Sequence, residues 1–350
     1  MILFKGNVSS PETAVVTSGE VTRLIEEWNR KETFQMTTSG STGIPKNIDL
    51  PKNLIEWSAK QTFRELNLNE KERVLLCIPL DKIGGRMLLY RSLIYDWFLQ
   101  IQIPKADPLL HLDVSHDFTF VSVVPYQLAT ILENPTSTKK LKKFKHVLIG
   151  GASMSARLEE DLSVFIKTSP VQFYHSYGMT ETASHIALRH VNVSPPNYYK
   201  LITGVVPSFE MSGALTITIQ HLNWTIHTND IAHLENGYLT FASRNDEVIN
   251  SGGVKLQLND IRKKVETALR DQKNLIRFIL WKMNDDKLGE KLVFVGLEKD
   301  QSPAVKNIVE SSLSPYETPK NFYWIDAFER TESGKIDRQK TVDRLIEIGG

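Results

Sequence analysis

A stretch near the start of the chain combines the residue types that bind phosphate. Residues 38–46 read Thr-Ser-Gly-Ser-Thr-Gly-Ile-Pro-Lys. Glycine lets a backbone approach a ligand closely, and the hydroxyl and free N–H groups of such a loop face an anion well. A terminal lysine adds a point charge that suits phosphate. We therefore predict a phosphate-binding loop that consists of Thr38, Ser39, Gly40, Ser41, Thr42, Gly43 and Lys46.

The same loop does not have the Walker A pattern. That pattern ends in Gly-Lys-Ser/Thr, whereas Pro45 precedes Lys46 here and Asn47 follows it. The absence of this ending argues against a phosphate-transferring NTPase. The alternative for the loop taken alone is a solvated turn, because Ser, Thr, Gly and Pro also cluster in ordinary loops.

A second stretch, residues 177–182, places nucleotide-binding side chains at the end of a predicted strand. Tyr177 can stack on a purine through its ring face, and Thr180 can donate a hydrogen bond to a phosphate oxygen. Glu181 supplies a hard oxygen ligand for Mg²⁺, which prefers carboxylates together with nucleotide phosphates. A turn with a helix cap would explain Thr180 and Glu181, but not their occurrence together with the phosphate loop.

Two later stretches each contribute one charged group. Asp230 can accept hydrogen bonds from both hydroxyls of a vicinal diol, as in a ribose. Lys335 follows Gly334, and a loop hinged at glycine can deliver and withdraw a lysine. The alternatives are a turn aspartate ahead of the hairpin signal Asn236-Gly237 and, for Lys335, an exposed charged turn.

These motifs, in this order, resemble those of the adenylate-forming superfamily, which comprises acyl-CoA synthetases, luciferases and the adenylation domains of peptide synthetases. The resemblance covers residues 37–340, and Tyr177 to Ile186 is most similar to the o-succinylbenzoate–CoA ligases of menaquinone biosynthesis. It implies an α/β fold with a large N-terminal α/β domain, shortened at its front, and a small mobile α+β C-terminal domain. The implied domains are residues 1–245 and 246–350, with the hinge at Asp246.

The resemblance also assigns a role to each motif. It implies that the loop at Gly151 and Ala152 borders the adenine, that Arg244 reaches the ribose, and that Lys335 bridges the substrate carboxylate and the α-phosphate. A glycine pair after the hinge would admit the pantetheine arm of coenzyme A. Besides the phosphate loop, the implied nucleotide- and CoA-binding residues are Gly151, Ala152, Tyr177, Gly178, Asp230, Arg244, Gly252 and Gly253. The implied catalytic residues are Lys335, Thr180 and Glu181, and Glu181 is also the metal ligand.

The acyl site departs from the family pattern. Asp81 and Lys82 replace an aromatic residue and a histidine. Lys82 either binds a substrate carboxylate or pairs with Asp81 and solvent, and the sequence leaves both open. Because burying an unpaired carboxylate costs several kcal/mol, the pocket should offer donors or a cation to the second carboxylate of o-succinylbenzoate. The candidate residues are Lys82, Arg86, Ser184 and His185.

The composition is that of an ordinary globular protein. Hydrophobic residues make up 41% of the 350 residues, charged residues 24%, and the formal net charge is +1. This balance creates no bulk field for nucleic acid or an anionic membrane. The single cysteine, Cys77, lies in an apolar run typical of a buried strand, and no apolar stretch is long enough to span a bilayer. We expect a cytoplasmic protein with no nucleic-acid partner and no membrane insertion.

Alternating strands and helices should position the motifs. Apolar runs predict strands at 73–79, 119–124, 146–149 and 171–176, and helical spacing predicts helices at 20–28, 54–66, 87–98, 127–132 and 155–165. This alternation indicates a mainly parallel sheet, in which ligands lie at the carboxyl ends of strands. Beyond the hinge we predict strands at 275–281, 292–297 and 322–325, a helix at 304–313, and a helix capped by Asn259 or Asp260.

Together these features predict an ATP- and Mg²⁺-dependent acid–CoA ligase. It would activate o-succinylbenzoate as an acyl-adenylate, release pyrophosphate and transfer the acyl group to coenzyme A. A CoA ligase or acyl-AMP ligase for another aryl or fatty acid is the alternative within the family. Outside the family, the alternatives are a phosphate-transferring NTPase and a binding protein that has kept the fold and lost turnover. A homo-oligomer is one arrangement that would cover the flank left by the shortened front.

Overall fold

The protein contains two β-sheets flanked by helices and one separate β-hairpin. The computed structural model describes residues 2–4, 7–9, 18–38, 46–113, 117–244, 248–251, 254–274, 276–330 and 336–349. Its helices are α1 (Ser18–Arg30), α2 (Lys52–Glu65), α3 (Ile83–Ile94), α4 (Pro125–Glu133), α5 (Pro135–Leu141), α6 (Ala156–Ile166), α7 (Leu258–Asp271), α8 (Pro303–Ser311) and α9 (Arg338–Gly349).

The strands fall into three groups along the chain. The first are β1 (Ile2–Phe4), β2 (Asn7–Ser9), β3 (Thr33–Thr38), β4 (Lys46–Pro51), β5 (Arg73–Leu76), β6 (Phe98–Ile101), β7 (Phe120–Val123), β8 (His146–Ile149) and β9 (Gln172–Gly178). The next are β10 (His185–His190), β11 (Tyr199–Leu201), β12 (Val205–Phe209), β13 (Ala214–Ile219), β14 (Trp224–Glu235) and β15 (Tyr238–Arg244). The last are β16 (Val248–Ser251), β17 (Val254–Gln257), β18 (Phe278–Asp285), β19 (Gly289–Leu297) and β20 (Asn321–Ile325).

The larger sheet is mixed, with a parallel block between antiparallel strands. Among the described residues it has 13 strands in the order β12-β13-β14-β15-β11-β10-β9-β8-β7-β5-β6-β1-β2. The neighbours from β6 to β9 pair in parallel, whereas β9 to β15 pair antiparallel. The predicted α/β class is confirmed, but a mainly parallel sheet is correct only for this central block. Strands joined by hairpins form most of the antiparallel part, because such strands need no crossover helix.

Helices cover both faces of the parallel block. Successive side chains of a strand point to opposite faces, so Val74 and Leu76 join one hydrophobic cluster with α1–α3. Leu75 and the following Cys77 join a second cluster with α4–α6. Cys77 is buried as predicted, and burial raises the pKa of its thiol to about 12. The three strands β5, β7 and β8 are therefore short, mostly buried runs, which is why they were predictable.

A separate hairpin carries the predicted phosphate loop. Strands β3 and β4 pair antiparallel from Thr33 opposite Pro51 to Thr38 opposite Lys46. The Thr37 hydroxyl donates to the Asn47 side-chain oxygen at 3.0 Å near the end of the ladder. The two ends of the loop are thus held side by side, while residues 39–45 lie outside the described residues.

The second sheet is built from residues after β15. It has the order β17-β16-β19-β18, and β20 pairs in parallel with β19. Helices α7 and α8 pack on one hydrophobic cluster, and α9 contributes Val342 to another. The predicted boundary at 245/246 stays a prediction. No helix in the described part of the chain combines the length and the apolar character that crossing a bilayer requires.

Two element predictions are wrong at their ends. The helix expected at 87–98 is α3, which starts at Ile83 and ends at Ile94; Asp96 then takes a positive φ of 52°, and Phe98 opens the unpredicted strand β6. Helix α7 is not capped by Asn259 or Asp260. Its N-cap is Gln257, without a side-chain hydrogen bond, because β17 runs directly into the helix. The helices α5 and α9 were also not predicted.

Candidate active site

The loop after β8 needs small residues. The Ser176 hydroxyl donates to the Ile149 carbonyl at 2.9 Å, and a Cβ on Gly150 would lie 2.7 Å from that hydroxyl. Gly151 has a φ of +87°, a left-handed conformation that favours glycine. Gly151 and Ala152 are exposed at the carboxyl end of the strand. They leave an open edge of the sheet, where a flat ring has room to lie.

Two predicted nucleotide-binding residues are brought into direct contact. The Tyr177 hydroxyl on β9 donates to the Asp230 carboxylate on β14 at 2.6 Å, although 53 positions separate them in sequence. Asp230 is 9% exposed and lies within a strand, so the alternative of a turn aspartate is wrong. Asn236 and Gly237, with φ of 50° and 82°, form the following hairpin turn as predicted. The Tyr177 ring packs on Phe241, with 4.1 Å between ring centroids.

Thr180 and Glu181 lie in a single turn of 3-10 helix, Thr180–Thr182. The Trp224 indole N–H donates to the Glu181 carbonyl at 2.9 Å, which ties this turn to β14. Glycine is required just before it, because a Cβ on Gly178 would overlap the Ser184 carbonyl oxygen. The turn therefore holds Thr180 and Glu181 beside the Tyr177 and Asp230 pair.

Glu181 fits a role as a ligand of Mg²⁺ bound with a nucleotide. Its side chain is half-buried in the turn, and no other described residue forms a hydrogen bond or ion pair with its carboxylate. The described residues hold no group of three or more His, Cys, Asp or Glu side chains that would bind a metal alone. Mg²⁺ usually keeps one or two carboxylates together with substrate phosphates and water, so a single glutamate suffices.

A buried polar cluster lies next to the turn. The Arg91 guanidinium on α3 donates to the Ser184 hydroxyl at 2.8 Å, and that hydroxyl lies 3.2 Å from the Nδ1 atom of His185. The Nε2 atom of His185 is 3.2 Å from the Thr62 hydroxyl on α2. The predicted role of Ser184 and His185 in acid binding stays a prediction. The cluster links two helices to β10 behind the nucleotide motif.

Arg91 is a buried cation without a described acidic partner. It is 1% exposed, no described carboxylate forms an ion pair with it, and its Nε atom has no hydrogen-bond partner among the described residues. Burial lowers the pKa of Arg91 to about 9. Burial, followed by the nearby Arg91 charge, also lowers the pKa of His185 well below its ordinary value. His185 is therefore neutral and acts as a polar rather than a cationic group.

Lys82 and Arg86 occupy a different place from Ser184 and His185. The Lys82 ammonium lies 2.9 Å from the Asp81 carboxylate, and both side chains are at least half exposed. Of the two alternatives that the sequence left open for Lys82, the structure therefore shows the ion pair with Asp81. Arg86 donates from Nε to the Leu80 carbonyl at 2.9 Å. No contact among the described residues joins these two cations to Ser184 and His185, and their role in acid binding stays a prediction.

A cavity of about 240 Å³ opens at the carboxyl ends of β5 and β7. Its lining residues are Ile78, Pro79, Pro104, Lys105, Ala106, Val124, Tyr126 and Gln127. A neighbouring cavity of about 230 Å³ shares Ile78, Pro79 and Pro104 with it. The Val124 side chain also reaches Gly151, 3.6 Å from the position of a Cβ on that glycine. The first cavity is therefore next to the predicted adenine edge.

Gln127 holds the walls of the first cavity together. Its side-chain amide donates to the carbonyls of Cys77 and Lys105, each at 3.0 Å, and its oxygen accepts from the Val124 N–H at 3.1 Å. One side chain thus braces three chain segments. Sequence reasoning missed both Gln127 and Arg91. For Arg91 a signal existed, since it is the only charged residue in the otherwise apolar run 87–94.

Other predicted site residues are described only by backbone or not at all. Thr38 and Lys46 pair across the hairpin of β3 and β4, and Arg244 pairs with Asp230 across β14 and β15. The role of Arg244 at the ribose stays a prediction. Outside the described residues lie Ser39, Gly40, Ser41, Thr42, Gly43, Asp246, Gly252, Gly253 and Lys335. Arg330 and Ile336, which lie on either side of the segment that contains Lys335, form a β-bridge.

Comparisons with known proteins give the family of this chain. The family described as AMP-binding enzyme matches residues 11–212, which is more than half of the chain. The 2-succinylbenzoate–CoA ligase of Listeria monocytogenes serotype 4b (strain F2365) is 27% identical over 357 residues, 95% of this chain and 74% of that protein. The ligase of the same name from Bacillus subtilis (strain 168) is also 27% identical, over 88% of this chain and 68% of that protein.

Solved structures agree with this result. The acyl-CoA synthetase (AMP-forming)/AMP-acid ligase II-like protein from Dyadobacter fermentans is 32% identical, with a TM-score of 0.63 and 99% of both chains covered. The o-succinylbenzoate coenzyme A synthetase from Bacillus subtilis, in complex with ATP and magnesium ion, has a TM-score of 0.73 at 23% identity, over 88% of this chain and 69% of that one. The chain therefore belongs to the AMP-binding enzyme family and is an AMP-forming ligase with the adenylate-forming fold. The resemblance inferred from the motifs is confirmed.

Proposed function

We propose that this protein is an ATP-dependent acid–CoA ligase that activates o-succinylbenzoate. The observation that carries the proposal is the hydrogen bond between Tyr177 and Asp230, which joins two nucleotide motifs at the carboxyl end of the parallel strands in an AMP-binding family member. The relatives named 2-succinylbenzoate–CoA ligase support the choice of acid.

In the first half-reaction an oxygen of the substrate carboxylate attacks the α-phosphorus of ATP. The bond to the β-phosphate oxygen breaks, and pyrophosphate leaves. Asp230, whose carboxylate already accepts the Tyr177 hydroxyl, would accept the ribose hydroxyls. Thr180 would donate to a phosphate oxygen, and Lys335 would bridge the carboxylate and the α-phosphate. Negative charge gathers in the transition state, so these groups act by positioning and electrostatic stabilisation.

Glu181 would hold Mg²⁺, which supplies positive charge against the phosphates when it is bound. The hydrogen bond from Trp224 to the Glu181 carbonyl holds the backbone of this turn against β14. Loop residues 38–46 would bind the phosphates, and the hairpin ladder brings the two ends of this loop together.

In the second half-reaction the sulfur of coenzyme A attacks the carbonyl carbon of the acyl-adenylate. The thiol proton is lost to solvent, the carbon–oxygen bond to AMP breaks, and AMP leaves. We propose that the small domain turns about Asp246 between the two halves. The turn would withdraw Lys335 and bring Gly252 and Gly253 to the pantetheine arm.

The cavities at the ends of β5 and β7 are our candidate for the acyl site. The first of them is mostly apolar and lies next to Gly151, as expected for an aryl acid. A second carboxylate needs donors or a cation nearby. Lys82, Arg86, Ser184 and His185 are the candidates from sequence. None of them lines the two cavities, but Asp81, the ion-pair partner of Lys82, lines the second one.

A pyrophosphate-release assay across a panel of carboxylic acids tests this proposal. We expect o-succinylbenzoate to be activated far better than benzoate or a medium-chain fatty acid. An uncharged aryl or alkyl acid that proves the better substrate would leave an AMP-forming ligase but would refute this choice of acid. Release of orthophosphate instead of pyrophosphate would refute the reaction itself.

A further inference from the structure

A buried histidine contacts the exposed loop at the adenine edge. His175 lies on β9 two positions before Tyr177 and is 3% exposed. Its Nε2 atom is 3.0 Å from the Ala152 carbonyl oxygen. Its Nδ1 atom is 2.8 Å from the hydroxyl of Tyr199 on β11, a side chain that is itself buried. A chain of two hydrogen bonds thus connects the loop after β8 to the interior of the sheet.

The partners determine which nitrogen of His175 carries the proton. A carbonyl oxygen only accepts hydrogen bonds, so Nε2 must donate to Ala152. The other ring nitrogen of a neutral imidazole accepts, and the Tyr199 hydroxyl supplies its proton. Burial lowers the pKa of His175 and raises the pKa of Tyr199 to about 12, so both groups are neutral. The pair therefore has one stable arrangement of donors and acceptors.

This hydrogen bond is the sole polar anchor described for the middle of the loop. Gly150 donates to the Val123 carbonyl at 3.1 Å, and the next hydrogen bonds start at Ser155, the N-cap of α6. For residues 151–154, which lie between these two points, the structure describes one hydrogen bond, from His175 to Ala152. Gly151 holds a left-handed conformation here and is exposed. Without His175 the two peptide groups next to Ala152 could rotate.

We propose that His175, oriented by Tyr199, is a positioning residue for the nucleotide base. By binding the Ala152 carbonyl it sets the direction of the peptide groups against which the purine lies. This inference rests on the proposed function in one respect, namely that Gly151 and Ala152 border the adenine. It requires that loss of His175 weakens the binding of ATP and leaves the binding of the acid nearly unchanged.

Calorimetric titration with ATP in the absence of acid tests the inference independently of turnover. We expect His175→Leu to weaken ATP binding roughly tenfold, the effect of losing about one hydrogen bond. His175→Gln should stay within about threefold of the original protein, because its amide N–H can still donate to Ala152. Tyr199→Phe should fall between them, since it removes the donor that orients the imidazole.

A matched control is His190→Leu. This histidine lies on the neighbouring β10, is half-buried, and bonds the Gln172 side chain at 2.9 Å instead of the loop. ATP binding should not change in it. If His175→Leu does not fold, the ATP affinities of His175→Gln and Tyr199→Phe decide, and the first should exceed the second. Melting temperatures show whether each variant is folded. Unchanged ATP binding in folded His175→Leu, or an equal rise in the KM for ATP and acid, would overturn the inference.

The same titration separates this inference from the proposed function. An original protein that binds ATP but turns over no acid would refute the ligase proposal, while the variants would still decide the role of His175. An original protein that does not bind ATP would refute both.

Discussion

At the scale of single residues, the contact between Tyr177 and Asp230 has the most direct consequence. Asp230 should hold the ribose hydroxyls of ATP with its charged oxygens. We expect Asp230→Ala to weaken ATP binding about ten- to a hundredfold, because hydrogen bonds to a charged acceptor contribute about 1.5–3 kcal/mol. Titrations with ATP and with deoxy-ATP measure this: the original protein should prefer ATP, and the variant should lose the preference. A preference that survives in Asp230→Ala would place the ribose elsewhere.

The pairing of Lys82 with Asp81 sharpens the prediction for the acid. Lys82 must leave Asp81 to bind a substrate carboxylate, and both groups are exposed enough to move. We expect Lys82→Met or Arg86→Met to raise the KM for o-succinylbenzoate and to leave ATP binding nearly unchanged. Lys71→Met, an exposed lysine before the amino end of β5, is the control. The idea fails if both substitutions leave the o-succinylbenzoate KM unmoved.

Lys335 should act in adenylation alone. We expect Lys335→Ala to slow acyl-adenylate formation about a hundredfold or more, because it removes a charge that is needed only in the transition state. Thioester formation from supplied acyl-adenylate should be largely spared. The two half-reactions are measured separately by pyrophosphate exchange and by CoA-thioester release. A variant equally poor in both would mean that Lys335 has another role.

At the scale of elements, the end of β9 is the most constrained point of the site. A Cβ on Gly178 would overlap the Ser184 carbonyl oxygen, and this contact is to backbone that cannot turn aside. We expect Gly178→Ala to reduce the free energy of unfolding by about 1–3 kcal/mol, as overpacking does. Gly19→Ala in α1 is the control, since its Cβ would meet nothing within 4 Å. Chemical denaturation compares them, and equal stability of both variants would contradict the assigned strain.

The helices and strands also show which features can be predicted from the sequence. Strand β8 has the predicted bounds because it is a continuous apolar run in the middle of the sheet. The end of α3 was missed because Asp96 adopts a positive φ that no local pattern announces. The contact of Asp230 with Tyr177, and the burial of Arg91 against Ser184, depend on strands and helices meeting in space. The sequence therefore predicted which motifs are present, but not which side chains they contact in the fold.

At the scale of the whole molecule, strands from residues before and after 245 belong to two different sheets. A hinge at Asp246 is the proposed link between their arrangements. Asp246→Pro fixes φ and should trap one arrangement of the two parts. We expect adenylation to persist while transfer to CoA fails, as measured by the separate half-reactions. Normal turnover in this variant would show that the pivot lies at another residue.

The central claim is that the carboxylate of the acid attacks the α-phosphorus of ATP. Turnover of o-succinylbenzoate labelled with oxygen-18 in its carboxylates tests it directly. One labelled oxygen should remain on AMP, because the bond that breaks in thioester formation joins the carbonyl carbon to that oxygen. Mass spectrometry of the products should therefore find the label in AMP and none in pyrophosphate. Label in orthophosphate, with ADP as the nucleotide product, would contradict the claim.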